Sequence, residues 1–157
     1  MTLTRQISTE ARQRWLGVLA KASLTELEAA WQGLGDKPQY RLLRPSETGL
    51  VMVRGRIGGS GRPFNFGEMT MTRAAVQLVD AASAVSHTGF GYVTGRAGRR
   101  AELVAVFDAL LQDPARHAGI ADAVVEPLAA AQAAAKAARA AKVMASKVDF
   151  FTMVRGE

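Results

Sequence analysis

LVMVRGRIGGSGRPFNFGEMTMTRAAVQL, Leu50 to Leu78, is the stretch on which the fold turns. On its N-terminal side Val51, Val53 and Ile57 alternate with Met52, Arg54 and Arg56. A period of two belongs to a β-strand, and here it predicts a buried apolar face opposite a polar, basic one. Glycines at 58, 59 and 61, followed by Pro63, interrupt the alternation and mark a turn between strands. Past the turn two periods compete. Ala74, Ala75, Gln77 and Leu78 would suit a helix, whereas Thr70, Thr72 and Val76 share one parity. Parity favours a second strand, so the stretch reads as strand, turn and strand.

Working outward, the period of two starts at Tyr40 and a helical period lies before it. Trp15, Leu16, Val18, Leu19 and Ala22 recur at helical spacing, with Ser8 or Thr9 as the cap. Ser23-Leu-Thr-Glu26 is a capping-box pattern that starts a second helix, with Leu27, Ala30, Trp31 and Leu34 as its stripe. Gly35, Asp36 and Pro38 stop it. On the other side, the small residues DAASAVSHTG, Asp80 to Gly89, predict a loop leading to a short strand at Phe90 to Thr94. A helix carrying Leu103, Val104, Val106, Phe107, Leu110 and Leu111 then ends near Asp113-Pro114. A short helical piece over Ile120 to Val125 and Pro127 at a first helical position introduce a long last helix.

Ten of the thirteen residues from Ala129 to Ala141 are alanine, so this last helix forms on propensity with little tertiary help. Its basic residues Lys136, Arg139, Lys142 and Lys147 fall on one side of the wheel. Ala130, Ala134, Ala137, Ala141, Met144, Ala145 and Val148 face the other way. The plainer expectation is that it packs on its own sheet. The chain then finishes VDFFTMVRGE, Val148 to Glu157, and burying Phe150 and Phe151 is favourable by roughly 1.5–3 kcal/mol per side chain. Either this tail folds back onto its own core or it serves another surface. The fold class expected is α+β: an N-terminal helical pair, an antiparallel sheet of about four strands, and C-terminal helices including the alanine-rich one.

Composition narrows the function classes. The chain has 157 residues, enough for one domain with a real core. It has no cysteine, and its two histidines are thirty residues apart, so a zinc site built from this chain is disfavoured. MTLTRQISTEARQRW carries no apolar h-region, and no stretch is long and apolar enough to span a membrane, which predicts a cytoplasmic protein. Residues 41–100 hold nine basic side chains, all arginine, against three acidic ones, and this segment accounts for the net charge of +6. Arginine's planar fork suits carboxylates and phosphates, so an anionic ligand or an acidic protein surface is expected.

The motifs bear on that expectation unequally. Gly55 to Gly61, GRIGGSG, lacks the Gly-Lys-Ser/Thr ending of a Walker loop, since Arg62 and Pro63 follow, and a hairpin turn is the better reading. TGRAGRRAEL, Thr94 to Leu103, places Arg96, Arg99 and Arg100 near a helix start, where the dipole disfavours cations by roughly 0.3–1 kcal/mol each. Either an anion or a partner's acid is held there, or the side chains turn away and Glu102 compensates. No GxSxG elbow is present, and Glu47, Glu68 and Asp80 are isolated from one another in sequence. The high pI admits a nucleic-acid-binding module as the alternative, although the basic helix has no interleaved aromatics for stacking.

Thr48 to Leu78, together with Gly91-Tyr92, Gly95-Arg96, Asp108-Ala-Leu110 and SKVDFFTMVRG at Ser146 to Gly156, resembles the PhnG family of the bacterial carbon–phosphorus lyase system. The likeness covers nearly the whole chain, residues 1–157, as a single domain. Ala97, the length of Ala81 to Thr88 and the alanine run depart from the family pattern. The resemblance implies a non-catalytic assembly subunit, with no cofactor or metal of its own, alongside PhnH, PhnI and PhnJ. It implies that the complex displaces adenine from MgATP with an alkylphosphonate, giving α-D-ribose 1-methylphosphonate 5-triphosphate. Under it, residues 148–157 are a docking tail whose contacts are Phe150, Phe151, Met153, Val154 and Arg155. Arg56, Arg62, Arg96, Arg99 and Arg100 then meet an anion or an acidic partner.

Overall fold

The computed structural model describes residues 7–79 and 87–147. Helices α1 (Thr9–Leu19) and α2 (Leu24–Gly33) come first, then strands β1 (Gln39–Arg56), β2 (Pro63–Val79) and β3 (Thr88–Thr94). Helices α3 (Gly98–Leu111), α4 (Pro114–Ile120) and α5 (Glu126–Ala145) follow, with a π-type turn at Ala121–Val125 joining the last two. The architecture is the expected α+β one, with three strands among the described residues where about four were expected. Two long strands, of 18 and 17 residues, take the place of several short ones. The sheet is an antiparallel meander in the order β1-β2-β3.

Both helical starts are capped as their sequences dictate. Ser8 accepts from the Ala11 N–H, and Ser23 and Glu26 form a reciprocal capping box. Trp15 and Leu19 of α1 and Leu27 and Trp31 of α2 are buried against α3. That helix is buried on nearly every side from Ala101 to Leu111, so it is the centre of the core rather than a surface element. Its other neighbour is one face of the sheet, where Thr72, Ala74, Val76 and Leu78 alternate inward from β2. The shared parity of Thr72 and Val76 does mark the inner face.

Two glycines allow α3 to lie so close. A Cβ at Gly89 would sit 1.9 Å from the Ala105 carbonyl oxygen, and one at Gly91 would sit 1.9 Å from that of Ala101. Only hydrogen atoms fit between this strand and this helix, which lets the backbones approach and Val93 bury completely beside them. Thr72 locks the same junction. Its hydroxyl donates to the Gly95 carbonyl (2.6 Å) and accepts from the Ala97 N–H (3.1 Å), tying central strand to helix start.

Two expectations fail for one reason: the core ends too soon. β3 pairs with β2 only over Met71–Gln77, so residues 50–56 and 63–70 have strand partners only in each other. They form an arm of about 25 Å, at about 3.3 Å per residue, beyond the three-stranded sheet. Val51 and Ile57, expected on a buried face, are therefore exposed, and Val53 is only half-buried. The alanine-rich α5 likewise does not pack on the sheet. Gln132 donates to the Val18 carbonyl and Arg14 pairs with Glu126, but residues 133–147 are exposed throughout. Alanine buries too little area to hold a helix down, and it needs no such hold to stay helical.

Candidate docking surface and arginine clusters

The structure divides the arginines singled out by sequence between two places. Arg56 and Arg62 lie at the tip of the arm, whereas Arg96, Arg99 and Arg100 surround the turn into α3. Thr70, whose carbonyl accepts from the Gly95 N–H, marks the base of the arm, so the arm's length separates the two groups.

At the α3 turn the guanidinium of Arg99 is drawn inward. Its Nε donates to Glu28 (2.9 Å), and its Nη1 donates to Glu102 (3.0 Å) and to the Tyr40 hydroxyl (3.1 Å). Tyr40 in turn donates to Glu102 at 2.5 Å. The Glu28 carboxylate, with help from Tyr40 and Glu102, holds the Arg99 pKa above its ordinary range. Burial raises the Tyr40 pKa first, and the bond to Glu102 adds to it. This network fastens α2, β1 and α3 together, and Glu102 offsets the arginine at the helix start as one of the two sequence readings has it. Arg100 donates to the Thr94 carbonyl at 2.8 Å.

On the sheet face away from α3, Glu47 accepts from Arg44 (2.8 Å) and from Arg73 (2.5 Å). The Arg44 bond, then the Arg73 bond, lowers the Glu47 pKa. Glu47, Arg73 and Tyr92 line a shallow cavity of about 290 Å³ that runs up to Leu50 and Val51 at the arm's base.

The arm and its tip carry six exposed large apolar side chains. Leu50 is 64% exposed, Met52 51%, Ile57 76% and Phe66 75%, with Val51 and Phe64 also exposed. Partners across an antiparallel pair share a face, so Met52 opposite Glu68 lies on one face and Gly55 opposite Phe64 on the other. Between Val53–Gly67 and Arg54–Asn65 the register shifts by one residue, a bulge that leaves Phe66 without a partner residue. Phe66 leans toward Phe64, with ring centroids 6.0 Å apart. The tip turns through Gly58 and Gly59, both at positive φ, and Arg56 donates to the Gly61 carbonyl across it. An open concavity there is lined by Arg54, Gly55, Arg56, Gly59 and Pro63.

Sequence reasoning quoted Asp108 only within a family likeness and missed its role as a junction of three elements. Asp108 is wholly buried and accepts from Arg12 Nε (3.1 Å) and Nη2 (2.6 Å), from Trp15 Nε1 (2.9 Å) and from the Phe90 N–H (2.9 Å). A lone aspartate inside the apolar run of α3 was the available signal. The role is structural: α1, β3 and α3 meet on one carboxylate. The expected docking residues Phe150, Phe151, Met153, Val154 and Arg155 lie outside the described residues, as do Val148 and Asp80 to Ser86 of the small-residue loop. Among the described residues no helix is long and apolar enough to cross a membrane.

Comparison with known proteins adds two findings. The family model for phosphonate metabolism protein PhnG matches residues 10–156. The α-D-ribose 1-methylphosphonate 5-triphosphate synthase subunit PhnG of Rhizobium meliloti (strain 1021) is 46% identical over 146 residues, covering 93% of this chain and 90% of that protein.

Proposed function

Since the chain belongs to the PhnG family of phosphonate metabolism proteins, we propose that it is an assembly subunit of an α-D-ribose 1-methylphosphonate 5-triphosphate synthase. The observation that carries this reading is the 46% identity, over nearly the full length of both chains, to a relative named as such a subunit. The complex would displace adenine from MgATP with an alkylphosphonate, and this chain supports that step without supplying catalytic side chains or a cofactor. The disposition of its polar groups supports a scaffolding role. Asp108, Arg99, Glu102 and Tyr40 are bound to one another or to neighbouring elements, while the surface left over is apolar and arginine-rich. Sister subunits PhnH, PhnI and PhnJ are the proposed partners, in the cytoplasm, with residues 148–157 contributing a docking tail.

The test is affinity purification of the tagged chain from its own host grown on methylphosphonate. Recovery of the sister subunits in fixed ratio is expected, together with adenine release from MgATP and methylphosphonate by the eluate but not by this chain alone. A chain that elutes alone, or one that releases adenine unaided, refutes the reading. Deletion of residues 148–157 is expected to weaken assembly while leaving the isolated domain folded.

A further inference from the structure

Building on the subunit reading, we infer that the hairpin arm, Leu50–Arg56 with Pro63–Thr70, inserts into a cleft of another synthase subunit. That cleft is apolar, closes on both faces of the arm, and carries carboxylates at its rim. A two-stranded ribbon is marginally stable by itself in water, and this one has no third strand or helix against it among the described residues. Here Leu50 and Met52 lie on one face and Val51 and Phe64 on the other, with Phe66 thrown out by the bulge and Ile57 at the tip. An apolar surface on one side would suit a flat partner. Apolar surface on both sides suits enclosure.

The charges select the partner's chemistry. The arm carries Arg54 and Arg56, its turn carries Arg62, and Glu68 is the single acid in the stretch. Phenylalanine, methionine and arginine, with no lysine, is the composition that interface cores favour. A second copy of this chain is the poorer occupant: each arm and its turn carry three arginines against one acid, so two of them brought together place net positive charge on both sides of the contact. A carboxylate-rimmed cleft does the reverse. The tip concavity of about 500 Å³, with Arg54 and Arg56 in its lining, has room for an acidic side chain and offers it the planar forks that carboxylates match.

The experiment uses the full chain co-expressed with the other synthase subunits, with a photoreactive benzoylphenylalanine in place of Phe66. Irradiation of the assembled complex is expected to join position 66 to a sister subunit. Alongside it, Arg54→Glu/Arg56→Glu and Phe66→Ser are expected to weaken assembly by about 10-fold or more, a typical loss for an anchoring interface residue. The isolated variants keep the melting temperature of the parent, because the substituted side chains are exposed. If the parent assembles and the variants assemble equally well, or if the cross-link falls on a second copy or nowhere, the arm is not the insert and the subunit reading stands. A parent chain that fails to assemble overturns the subunit reading and this inference with it.

Discussion

Replacing Asp108 with alanine should be among the most damaging single changes this fold can suffer. The carboxylate is 0% exposed and receives Trp15 Nε1, the Phe90 N–H and two nitrogens of Arg12. Asp108→Ala leaves two buried neutral donors, Trp15 Nε1 and the Phe90 N–H, without an acceptor, at about 1–3 kcal/mol each. The Arg12 side chain is about a third exposed and can turn to water, so its loss adds little. The sum is about 2–6 kcal/mol, and at about 2–4 °C per kcal/mol for a chain of this size the melting temperature falls by roughly 12 °C at the middle of that range. Arg12→Met tests the other side of the pair. It leaves both neutral donors in place but strips the buried carboxylate of its only charged partner among these contacts, so a loss of about 3–5 kcal/mol, comparable with that of Asp108→Ala, is expected. Urea titrations followed by tryptophan fluorescence measure both directly, since Trp15 is one of the two reporters. A loss below about 1 kcal/mol for Asp108→Ala would refute the idea that this carboxylate holds α1, β3 and α3 together.

Gly91→Ala should be destabilising by at least about 1–3 kcal/mol, because its Cβ would lie 1.9 Å from the Ala101 carbonyl oxygen and force α3 off the sheet; an unchanged urea midpoint counts against the close approach. Ser23→Ala should cost about 1 kcal/mol at pH 7 by opening the capping box of α2. Bonds from the Ser23 hydroxyl, then from its N–H, hold the Glu26 pKa below the ordinary 4.5. The carboxylate's contribution is therefore present above that pH and lost as pH falls through the lower folded-state value. The parent–variant gap in melting temperature should accordingly narrow below pH 4.5, and a gap independent of pH would remove Glu26 from the explanation. Arg99→Met should lower stability by about 1 kcal/mol, since the network it leaves is partly exposed; the change should also move the Tyr40 titration, read by ultraviolet difference spectra.

Much of the fold was legible because local rules decided it. Ser23 and Glu26 sit three residues apart and cap each other whatever surrounds them. The spacing of Trp15 and Leu19, or of Leu27 and Trp31, places them on one side of a helix. The turn at Gly58 to Gly61 needs positive φ, and glycine supplies it. The resemblance carried by Thr48 to Leu78 and the C-terminal residues named the family that the comparisons then showed. What failed were statements about the far side of an element. Alternation along Val51, Val53 and Ile57 says that alternate residues share a face, not that anything covers it. The same holds for the alanine face of α5. For Arg99 two readings stood open from the sequence, and only folding brings Glu28, distant in sequence, to its Nε.

Periodicity, capping and turn chemistry are properties of neighbouring residues, so the sequence by itself determined the order of helices and strands, the hairpin and the α+β class. Where the core stops is a property of the whole chain. β3 is 7 residues long against 17 in β2, and this mismatch leaves the end of the hairpin uncovered. The burial of Asp108, the seating of α3 on Gly89 and Gly91, and the exposure of Phe66 depend on segments far apart in sequence meeting in space. Those the tertiary structure alone decided.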